Sequence, residues 1–426
     1  MSSANKFLDS LINYERNTTV NYKFKLDRFR SFLQSIGNPQ KNLKNCILIA
    51  GTKGKGSTAA FLDSALRACR LKTGLYTSPH IFSLRERIKV NGKEIPQRDL
   101  DRLVNKIKKP ARKFNITFFE AMTAVGFLYF LEKRLDYTIL EVGLGGRLDA
   151  TNVVKPTVTV ITRIGYDHIN ILGKTLKKIA HEKAGIIHSG SYVVLSQQRP
   201  AALKAIKNKI QTAKTKYFDT AKEIRIIKTK TDITGSLFTI QNKGKYGIKL
   251  LGKHQIENAC TAIGVLSYLQ SKDRRITEKC IKNGLKNTQI LARCQIISKN
   301  PVIIVDGAHN PESVSALYQI IYNIIKRKVI IIFGSSQGKL VKEMLKILSP
   351  VTEQFILTQS KNLRHIPVSE LADILKPYKI PFVITNSVKK AVEKEMELAK
   401  RKTPLIITGS FYVASEALKI FRKSSL

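Results

Sequence analysis

Hydrophobic and polar residues in the first half of the chain follow the alternation of strands and helices. An uninterrupted apolar run over residues 46–50 has the length of a buried strand, and a helical pattern follows it over 57–70. Similar runs over 137–142 and 156–164 predict two more strands, and residues 118–130 are apolar enough for a buried helix. Strands that alternate with helices form parallel sheets, whose ligands bind beyond the carboxyl ends of the strands.

The rest of the chain shows other patterns. Residues 222–240 suggest two or three antiparallel strands, and from residue 300 a second series of apolar runs alternates with helical patterns. We therefore expect an α/β protein with a larger domain over 1–290 and a smaller Rossmann-like domain over 291–426. Residues 1–45 are predicted to be helical, with apolar positions at Phe7, Leu8, Leu11, Ile12, Phe24, Phe29, Phe32 and Leu33.

A glycine-rich segment joins the first predicted strand to its helix. Its glycines let backbone N–H groups turn towards a ligand, and the helix N-terminus favours negative charge. Lys55 is placed to reach the outer phosphates of a nucleotide, and Ser57 or Thr58 offers a hydroxyl for magnesium. The pattern is incomplete because a glycine separates Lys55 from Ser57, so a merely flexible loop is the alternative. The three glycines are Gly51, Gly54 and Gly56.

Polar residues at predicted strand ends are candidate magnesium ligands. Ser78, Glu141 and His168 each follow or end such a strand, and magnesium prefers oxygen ligands in octahedral geometry. From position alone, Glu141 is equally a capping residue and His168 a solvent-facing loop residue. The glycine spacing after Glu141 is not the dinucleotide fingerprint, which makes binding of NAD a weak hypothesis.

Two other segments contain candidate functional residues that also have a purely structural explanation. Lys183 lies two positions before a glycine. From the residues alone, it is interpreted as an exposed lysine near the end of a helix. Asp306 and His309 fall in a predicted strand-to-helix turn, where Asp306 can bind ribose or orient a base. The alternative is a helix N-cap that includes Asn310.

Charge and cysteine content narrow the class of protein. The chain has 74 Lys and Arg residues against 31 Asp and Glu, a formal net charge of +43. The lysines are spread along the whole chain without an RNA-binding aromatic signature, so attraction of phosphorylated and carboxylated substrates explains them without a dedicated nucleic-acid role.

Five cysteines without C-x-x-C spacing argue against a zinc site and a disulfide framework. No secretory h-region or membrane-length apolar run occurs, so we expect a cytoplasmic protein.

Eight sequence motifs occur in a fixed order along the chain. They are Gly51-Thr-Lys-Gly-Lys-Gly-Ser-Thr58, Ser78-Pro-His80, Phe119-Glu120, Glu141-Val-Gly-Leu-Gly-Gly-Arg-Leu-Asp-Ala-Thr-Asn152, Asp167-His168 with Leu172-Gly173, Glu182-Lys-Ala-Gly-Ile186, His254-Gln255 with Asn258, and Asp306-Gly-Ala-His-Asn-Pro311. By these motifs and their order, the chain resembles the folylpolyglutamate synthase and dihydrofolate synthase family, within the Mur-type ligases, from about Tyr14 to the C-terminus.

The resemblance implies a two-domain, ATP-dependent amide ligase. The family phosphorylates the carboxylate of a pteroate or folate to an acyl phosphate, releases ADP, and lets the amino group of L-glutamate displace phosphate. Such catalysis requires neutralised phosphate charge, aligned reactants and exclusion of water. We expect ATP, L-glutamate and dihydropteroate or a reduced folate as ligands, two magnesium sites, and a monomer without membrane or dedicated nucleic-acid partners.

The resemblance also implies roles for individual residues. Lys55, Lys183 and His168 match catalytic positions, and Lys183 matches the lysine that the family carbamylates to help hold the second metal. Ser78, Glu141 and His168 match the magnesium ligands. The expected nucleotide contacts are Gly54, Lys55, Gly56, Ser57, Asn258, Arg293 and Asp306. The expected pteroate-side residues are Phe118, Phe119, Glu120, Leu148, Asp149 and Ala150.

Two departures from the family pattern bear on activity. Lys53 stands where the family usually has Asn, which adds positive charge beside the phosphates. The family's Asp-Lys-Asp run is missing after Phe333-Gly334, where Ser-Ser-Gln-Gly-Lys339 follows. Three rivals therefore accompany the ligase hypothesis. They are a Mur-type ligase of cell-wall precursors, a folate- or nucleotide-binding protein that has lost catalysis, and a basic nucleic-acid-binding protein.

Overall fold

The structure is a computed structural model that describes residues 3–14, 26–397 and 403–424. Phe24, which belongs to the predicted N-terminal apolar face, lies outside these residues. The chain divides into two compact units. The first comprises Met1–Ile227, Thr239–Tyr246 and Gln255–Thr288, and the second comprises Lys228–Phe238, Gly247–His254 and Gln289–Leu426.

The first unit is built on an eight-stranded sheet whose order is β4-β3-β2-β5-β1-β6-β7-β8. From β2 to β8 neighbouring strands pair in parallel, and β3 and β4 add an antiparallel edge. The central strands are apolar at nearly every position because helices cover both faces of a parallel sheet. The strands are β1 Cys46–Ala50, β2 Thr73–Tyr76, β3 Ile88–Val90, β4 Lys93–Glu94, β5 Tyr137–Glu141, β6 Val158–Ile161, β7 Tyr192–Leu195 and β8 Tyr217–Asp219.

Helices connect these strands, and several of them bury their apolar sides in one core. The predicted buried helix begins after Thr117, whose hydroxyl accepts the amide N–H of Glu120 in a capping box. The helices are α1 Ser3–Ser10, α2 Leu26–Ser35, α3 Lys55–Ala68, α4 Gln97–Lys113, α5 Phe118–Lys133, α6 Ile169–Leu172, α7 Leu176–Ala184, α8 Pro200–Thr212, α9 Thr220–Glu223, α10 Lys253–Gln270 and α11 Glu278–Asn287.

The register of the central strands places the predicted motifs at one edge of the sheet. Strand β1 lies between β5 and β6, with Ile49 opposite Glu141 and Ala50 opposite Ile161. All three strands therefore end at the same level. The glycine-rich loop after β1 and the carboxylate at the end of β5 become neighbours for this reason.

A separate three-stranded sheet has the order β11-β10-β9. Two of its strands fall within residues 222–240, for which the sequence predicts antiparallel strands. Its strands are β9 Ile226–Asp232, β10 Gly235–Ile240 and β11 Gly244–Ile248.

The second unit contains a six-stranded sheet of order β12-β13-β17-β14-β15-β16. All neighbours pair in parallel except β12 and β13. This sheet has its own apolar core. Its elements are β12 Gln295–Lys299, β13 Val302–Val305, α12 Pro311–Ile320, β14 Val329–Phe333, α13 Val341–Leu348, β15 Thr352–Leu357, α14 Val368–Leu375, β16 Phe382–Ile384, α15 Val388–Glu397, β17 Leu405–Thr408 and α16 Phe411–Ser424.

The expected α/β architecture with two parallel-rich sheets is confirmed. The cysteine spacing argued against a disulfide framework and did not indicate the one disulfide that the structure contains, between Cys69 and Cys280. The two cysteines are 211 residues apart, so no local spacing could indicate it. Within the described residues, no helix is both long and apolar enough to cross a bilayer.

Candidate functional site

The glycine-rich loop after β1 has the backbone of an anion cradle. Gly51 and Gly54 have φ angles of 151° and 87°, which side-chain-bearing residues rarely adopt. Space is equally restrictive, because a Cβ on Gly51 would lie 1.9 Å from the Oγ1 of Thr162. The amides of Thr52 and Lys53 both donate to the carbonyl of Arg163, at 3.0 and 3.1 Å, which fixes the outer part of the loop.

The loop leads directly into the N-terminus of α3, with Gly54 as the N-cap. The first amides of this 14-residue helix are therefore available to an anion, and the helix dipole adds positive potential. The Nζ of Lys55 donates to the Gly51 carbonyl at 3.1 Å, so the ammonium lies over the loop. A Cβ on Gly54 would lie 2.1 Å from the Oδ1 of Asn258, which places that amide against the loop. Gly54, Lys55 and Asn258, predicted from separate motifs, are thus brought together.

A buried carboxylate faces the start of the same helix. Glu141 is 5% exposed, and its Oε2 lies 3.4 Å from the position of a Cβ on Gly56. The backbone N–H of Ser78 donates to Oε2 of Glu141 at 3.2 Å. Gly56, Ser78 and Glu141 therefore share one oxygen-rich corner next to the phosphate loop.

His168 has a different environment from the other two predicted metal ligands. It adopts a left-handed conformation at the N-cap of α6, and its side chain is 52% exposed. Its Nε2 lies 3.7 Å from the Oδ1 of Asp167. The described part of the chain contains no cluster of three His, Cys, Asp or Glu side chains with metal-binding geometry. Of the predicted set, the structure therefore brings Ser78 and Glu141 together and places His168 on an exposed turn.

The glycine turn after β5 is held by a buried carboxylate. Oδ2 of Asp149 accepts the amides of Gly143 and Leu144 at 3.0 and 2.9 Å, and Oδ1 accepts the amide and hydroxyl of Thr151. Burial raises the pKa of Asp149, while these hydrogen bonds oppose the shift. Asp149, predicted as a pteroate-side residue, thus shapes the turn that carries Leu148 and Ala150.

The backbone of this glycine turn packs directly against the backbone at the end of α7. A Cβ on Gly146 would lie 2.8 Å from the carbonyl oxygen of Glu182, and one on Gly185 would lie 2.3 Å from the Cβ of Arg147. An ion pair of 2.9 Å between Arg147 and Glu182 spans the same junction. The position of Lys183 is consequently set by the glycine turn.

Lys183 is buried, so its interpretation from the residues alone, as an exposed lysine near a helix end, was wrong. It is 4% exposed, and burial, with the nearby charge of Lys55, lowers the pKa of Lys183 to about 7. Asp167 and Asp149 act in the opposite direction. Near neutral pH a large fraction of this side chain is therefore an uncharged, nucleophilic amine.

The aromatic segment at the start of α5 borders the same turn. A Cβ on Gly143 would lie 2.5 Å from the Cζ of Phe119, so the glycine makes room for this ring. Phe118 is buried, and the guanidinium carbon of Arg87 lies over its ring, 5.1 Å from the ring centre. Glu120 accepts two hydrogen bonds from Arg28, at 3.0 and 2.8 Å, and caps its own helix.

In the second unit, Asp306 follows β13 and is hydrogen-bonded to the residue after Arg293. The Oδ2 of Asp306 accepts the amide of Cys294 at 2.8 Å, and the guanidinium of Arg293 lies 4.8 Å from the centre of the Phe411 ring. His309 also contacts this ring, at 5.1 Å between centroids. Asn310 is the N-cap of α12, as the alternative interpretation of this turn predicts.

Asn152 and His188, which were not predicted as site residues, support the site from behind. Asn152 donates to the carbonyls of Arg147 and Gly185 at 3.0 and 3.3 Å, and its Oδ1 lies 2.7 Å from the Nε2 of His188. Asn152 therefore ties the glycine turn to the end of α7. It belongs to a quoted motif, but nothing in the local pattern around His188 could indicate its role.

Comparisons with known proteins find matches over both parts of the chain. The family model described as Mur ligase middle domain matches residues 49–266, and Mur ligase, glutamate ligase domain, matches residues 292–411. Dihydrofolate synthase/folylpolyglutamate synthase of Bacillus subtilis is 36% identical over 304 residues, covering 68% of this chain and 70% of that protein. The apo form of L. casei FPGS has a TM-score of 0.87 at 28% identity and covers 98% of both chains. E. coli FolC in complex with DHPP and ADP has a TM-score of 0.85 at 27% identity, over 100% of this chain and 99% of that one.

Proposed function

Because the chain belongs to the Mur ligase family, and within it to the folylpolyglutamate and dihydrofolate synthases, we propose that it uses ATP to join L-glutamate to dihydropteroate, to a reduced folate, or to both. The observation that carries the proposal is the meeting of three features in the first unit. A phosphate loop with Lys55 faces the buried Glu141, and the close-packed glycine turn holds Lys183 nearby.

The proposed reaction has two steps. A carboxylate oxygen of the acceptor attacks the γ-phosphorus of ATP, which forms an acyl phosphate and releases ADP. The amino nitrogen of glutamate then attacks the acyl carbon, loses a proton, and expels inorganic phosphate from a tetrahedral intermediate. The loop amides, the α3 dipole and Lys55 stabilise charge on the phosphate oxygens throughout.

The donor set of the corner fits magnesium. Glu141 presents its carboxylate oxygens beside Gly56, and Ser78 adjoins them through its backbone N–H. A carboxylate together with phosphate oxygens is the set that magnesium prefers. When bound there, with His168 as the third proposed ligand, magnesium would neutralise phosphate charge.

We extend the proposal to carbamylation of Lys183, which its buried, partly neutral amine supports. The nitrogen attacks the carbon of CO2, a proton leaves, and the new carboxylate would help to hold a second magnesium ion. On the nucleotide side the proposal includes Asn258 beside the loop and, from the second unit, Arg293 and Asp306. The cytoplasmic location and monomeric state expected from the sequence belong to the same proposal.

The test is phosphate release from ATP that requires both glutamate and an acceptor, with dihydropteroate and tetrahydrofolate supplied in turn. Product chain length read by mass separates first-glutamate addition from chain extension. Lys55→Ala is expected to abolish turnover, whereas Lys44→Ala, at an exposed lysine before β1, keeps it. Absence of release with either acceptor would overturn the substrate assignment.

The rivals give different results in the same assay. A ligase of cell-wall precursors releases phosphate only with a nucleotide-linked peptide acceptor. A protein that has lost catalysis binds ATP without hydrolysing it with any acceptor, which the missing acidic run after Gly334 keeps open. A nucleic-acid-binding protein shows salt-sensitive, sequence-independent binding without folate-dependent ATP hydrolysis.

A further inference from the structure

The side-chain amide of Asn152 joins two backbone segments of the first unit. Its Nδ2 donates to the carbonyl of Arg147, in the glycine turn, at 3.0 Å and to the carbonyl of Gly185, the C-cap of α7, at 3.3 Å. Asn152 is 5% exposed, so a donor that lost its acceptor here could not turn to solvent instead. One amide nitrogen thus uses both of its N–H groups to hold the turn against the end of the helix that carries Lys183.

The orientation of this amide matters because its two ends differ in chemistry. If the amide were flipped end for end, Oδ1 would face two carbonyl oxygens, which accept hydrogen bonds and cannot donate them. Two hydrogen bonds would then be replaced by repulsive contacts at a buried position. The oxygen and nitrogen ends of an asparagine amide are nearly equal in size, so shape alone does not prevent the flip. The group that faces Oδ1 therefore adds to the correct orientation if it is a donor and opposes it if it is an acceptor.

His188 is the group at Oδ1, and it is a donor. The Nε2 of His188 lies 2.7 Å from the Oδ1 of Asn152. Because the amide nitrogen faces the two carbonyls, the amide oxygen faces the imidazole, and Nε2 carries the proton of this bond. Burial, with the nearby charges of Lys209 and Arg30, lowers the pKa of His188, so the ring has a single proton near neutral pH. The bond to Asn152 assigns that proton to Nε2.

The backbone that carries His188 is anchored to the sheet. The hydroxyl of Ser191 donates to the carbonyl of His188 at 2.8 Å. The hydroxyl of Thr159, in β6, lies 3.2 Å from the hydroxyl of Ser191 and donates to the carbonyl of Ile186 at 3.3 Å. Ser191 and Thr159 are both buried. The imidazole is therefore presented to Asn152 from a loop that the strand holds in place.

The junction that Asn152 holds sets the position of Lys183. The amide of Arg147 donates to the carbonyl of Glu182 at 2.8 Å, and a Cβ on Gly146 would lie 2.9 Å from the carbonyl oxygen of Lys183. The glycine turn and the last residues of α7 therefore move together. Displacement of a reacting group by about 1 Å lowers a rate by as much as about a hundredfold, so a loosened junction affects chemistry at Lys183.

We propose that His188 is a positioning residue, whose Nε2–H fixes the Asn152 amide in the orientation that holds the glycine turn against α7 and thereby places Lys183. The inference rests on the proposed function and deepens it, because Lys183 is the residue whose carbamate is proposed to help hold the second magnesium ion. His188 acts through Asn152 and touches no reactant.

Two side chains of nearly equal shape at position 188 test the proposal. Glutamine offers an amide N–H where the imidazole has Nε2–H, whereas an ionised glutamate offers only acceptors. We expect His188→Gln to keep kcat for glutamate-dependent ADP formation within about twofold of the wild-type value, because the donor is retained. His188→Glu should flip the Asn152 amide and lower kcat by about tenfold or more, with a smaller change in the KM for ATP.

A charge control accompanies this pair. His181→Glu introduces the same negative charge at an exposed position of α7 and should leave kcat unchanged. Equal kcat values for His188→Gln and His188→Glu, whether both are normal or both are low, would overturn the proposal, because a packing role does not distinguish a donor from an acceptor.

Hydrogen exchange read by mass gives a second measurement that does not need turnover. In the wild type and in His188→Gln, residues 143–152 should stay protected, since the amide of Arg147 is bonded to the carbonyl of Glu182. In His188→Glu the same residues should exchange severalfold faster, while strand β14 of the second unit keeps its wild-type rate.

Failure of the proposed function is distinguishable from failure of this inference. If the wild-type chain shows no turnover with any acceptor, the proposed function fails, and the exchange of residues 143–152 still decides the role of His188. Equal exchange in the glutamine and glutamate variants would then overturn the inference. If turnover is present, faster exchange in His188→Glu with an unchanged kcat would equally overturn the link from His188 to Lys183.

Discussion

At the scale of single residues, the buried amine of Lys183 links stability to pH. Its pKa of about 7 in the folded protein lies below the ordinary value of 10.5, so between these values the unfolded chain binds more protons than the folded one. For this group the free energy of unfolding therefore rises with pH across that window, by up to about 1.4 kcal/mol per pH unit. Below pH 7 the full cost of burying the charge is present.

Lys183→Met removes this cost. We expect the variant to exceed the wild type in urea midpoint most at about pH 6 and to lose that advantage as pH approaches about 10. The titrations need CO2-depleted buffer, so that carbamylation does not intervene. Lys177→Met, at an exposed position of the same helix, should show no such trend. A constant difference between Lys183→Met and wild type would mean that the amine keeps its ordinary pKa.

Lys53 is a second residue-scale test, because it replaces the family's usual Asn in the phosphate loop. The backbone amide of Lys53 donates to the carbonyl of Arg163, which holds this residue in the loop. The lysine side chain therefore adds a positive charge to the loop. An extra charge near phosphates in a partly exposed site contributes about 0.5–1 kcal/mol. Lys53→Asn should therefore weaken inhibition by ADP about two- to fivefold, less at high salt. Lys44→Asn, at a lysine outside the loop, is the control. Unchanged inhibition by ADP in Lys53→Asn would show that this lysine does not contribute to nucleotide binding.

At the scale of elements, α3 and α11 pack against each other at backbone distance. A Cβ on Gly284 would lie 2.3 Å from the Cα of Ala65, and the hydroxyl of Ser64 donates to the carbonyl of Gly284 at 2.7 Å. The disulfide between Cys69 and Cys280 crosses the same junction. It therefore joins helices that already touch, and its main effect is expected on the unfolded chain.

Thiol counting tests the disulfide directly. The oxidised protein, once denatured, should titrate only the three remaining cysteines, Cys46, Cys260 and Cys294. Reduction should lower the free energy of unfolding by about 2–5 kcal/mol, because the bridge closes a loop of 211 residues. The double variant Cys69→Ser/Cys280→Ser should behave as the reduced protein and no longer respond to reductant. Titration of all cysteines without reductant would show that the pair remains reduced in solution.

The same elements show what the pattern of residues could predict. Continuous apolar runs identified strands such as β1 and β14, because strands covered on both faces carry their own signal. The edge strand β12 was missed, since it is only half-buried and lacks such a run. The site followed the same rule. The loop with Lys55 is local in sequence, whereas the burial of Lys183 and the hydrogen bond from the amide of Cys294 to Asp306 depend on residues that meet only in the folded chain.

At the scale of the whole molecule, the net charge of +43 bears on how substrates arrive. ATP, folates and glutamate are all anions, and a strongly positive protein raises their local concentration through a field that salt screens. We expect kcat/KM for ATP to fall severalfold between about 50 and about 300 mM NaCl, while kcat changes less than about twofold. Sucrose at matched viscosity should have no such effect, and equal losses in kcat would instead indicate a weakened fold.

The variant Lys53→Asn then separates the general field from the local charge. If the summed charge of 74 basic residues attracts the nucleotide, the variant keeps most of the salt dependence, because one charge is a small part of the total. If the phosphate loop alone is responsible, the dependence falls markedly in this variant. We expect the first result, since the lysines are spread along the entire chain. A polyanion such as heparin should then compete with ATP at low salt and lose this effect at high salt, without supporting a dedicated nucleic-acid role.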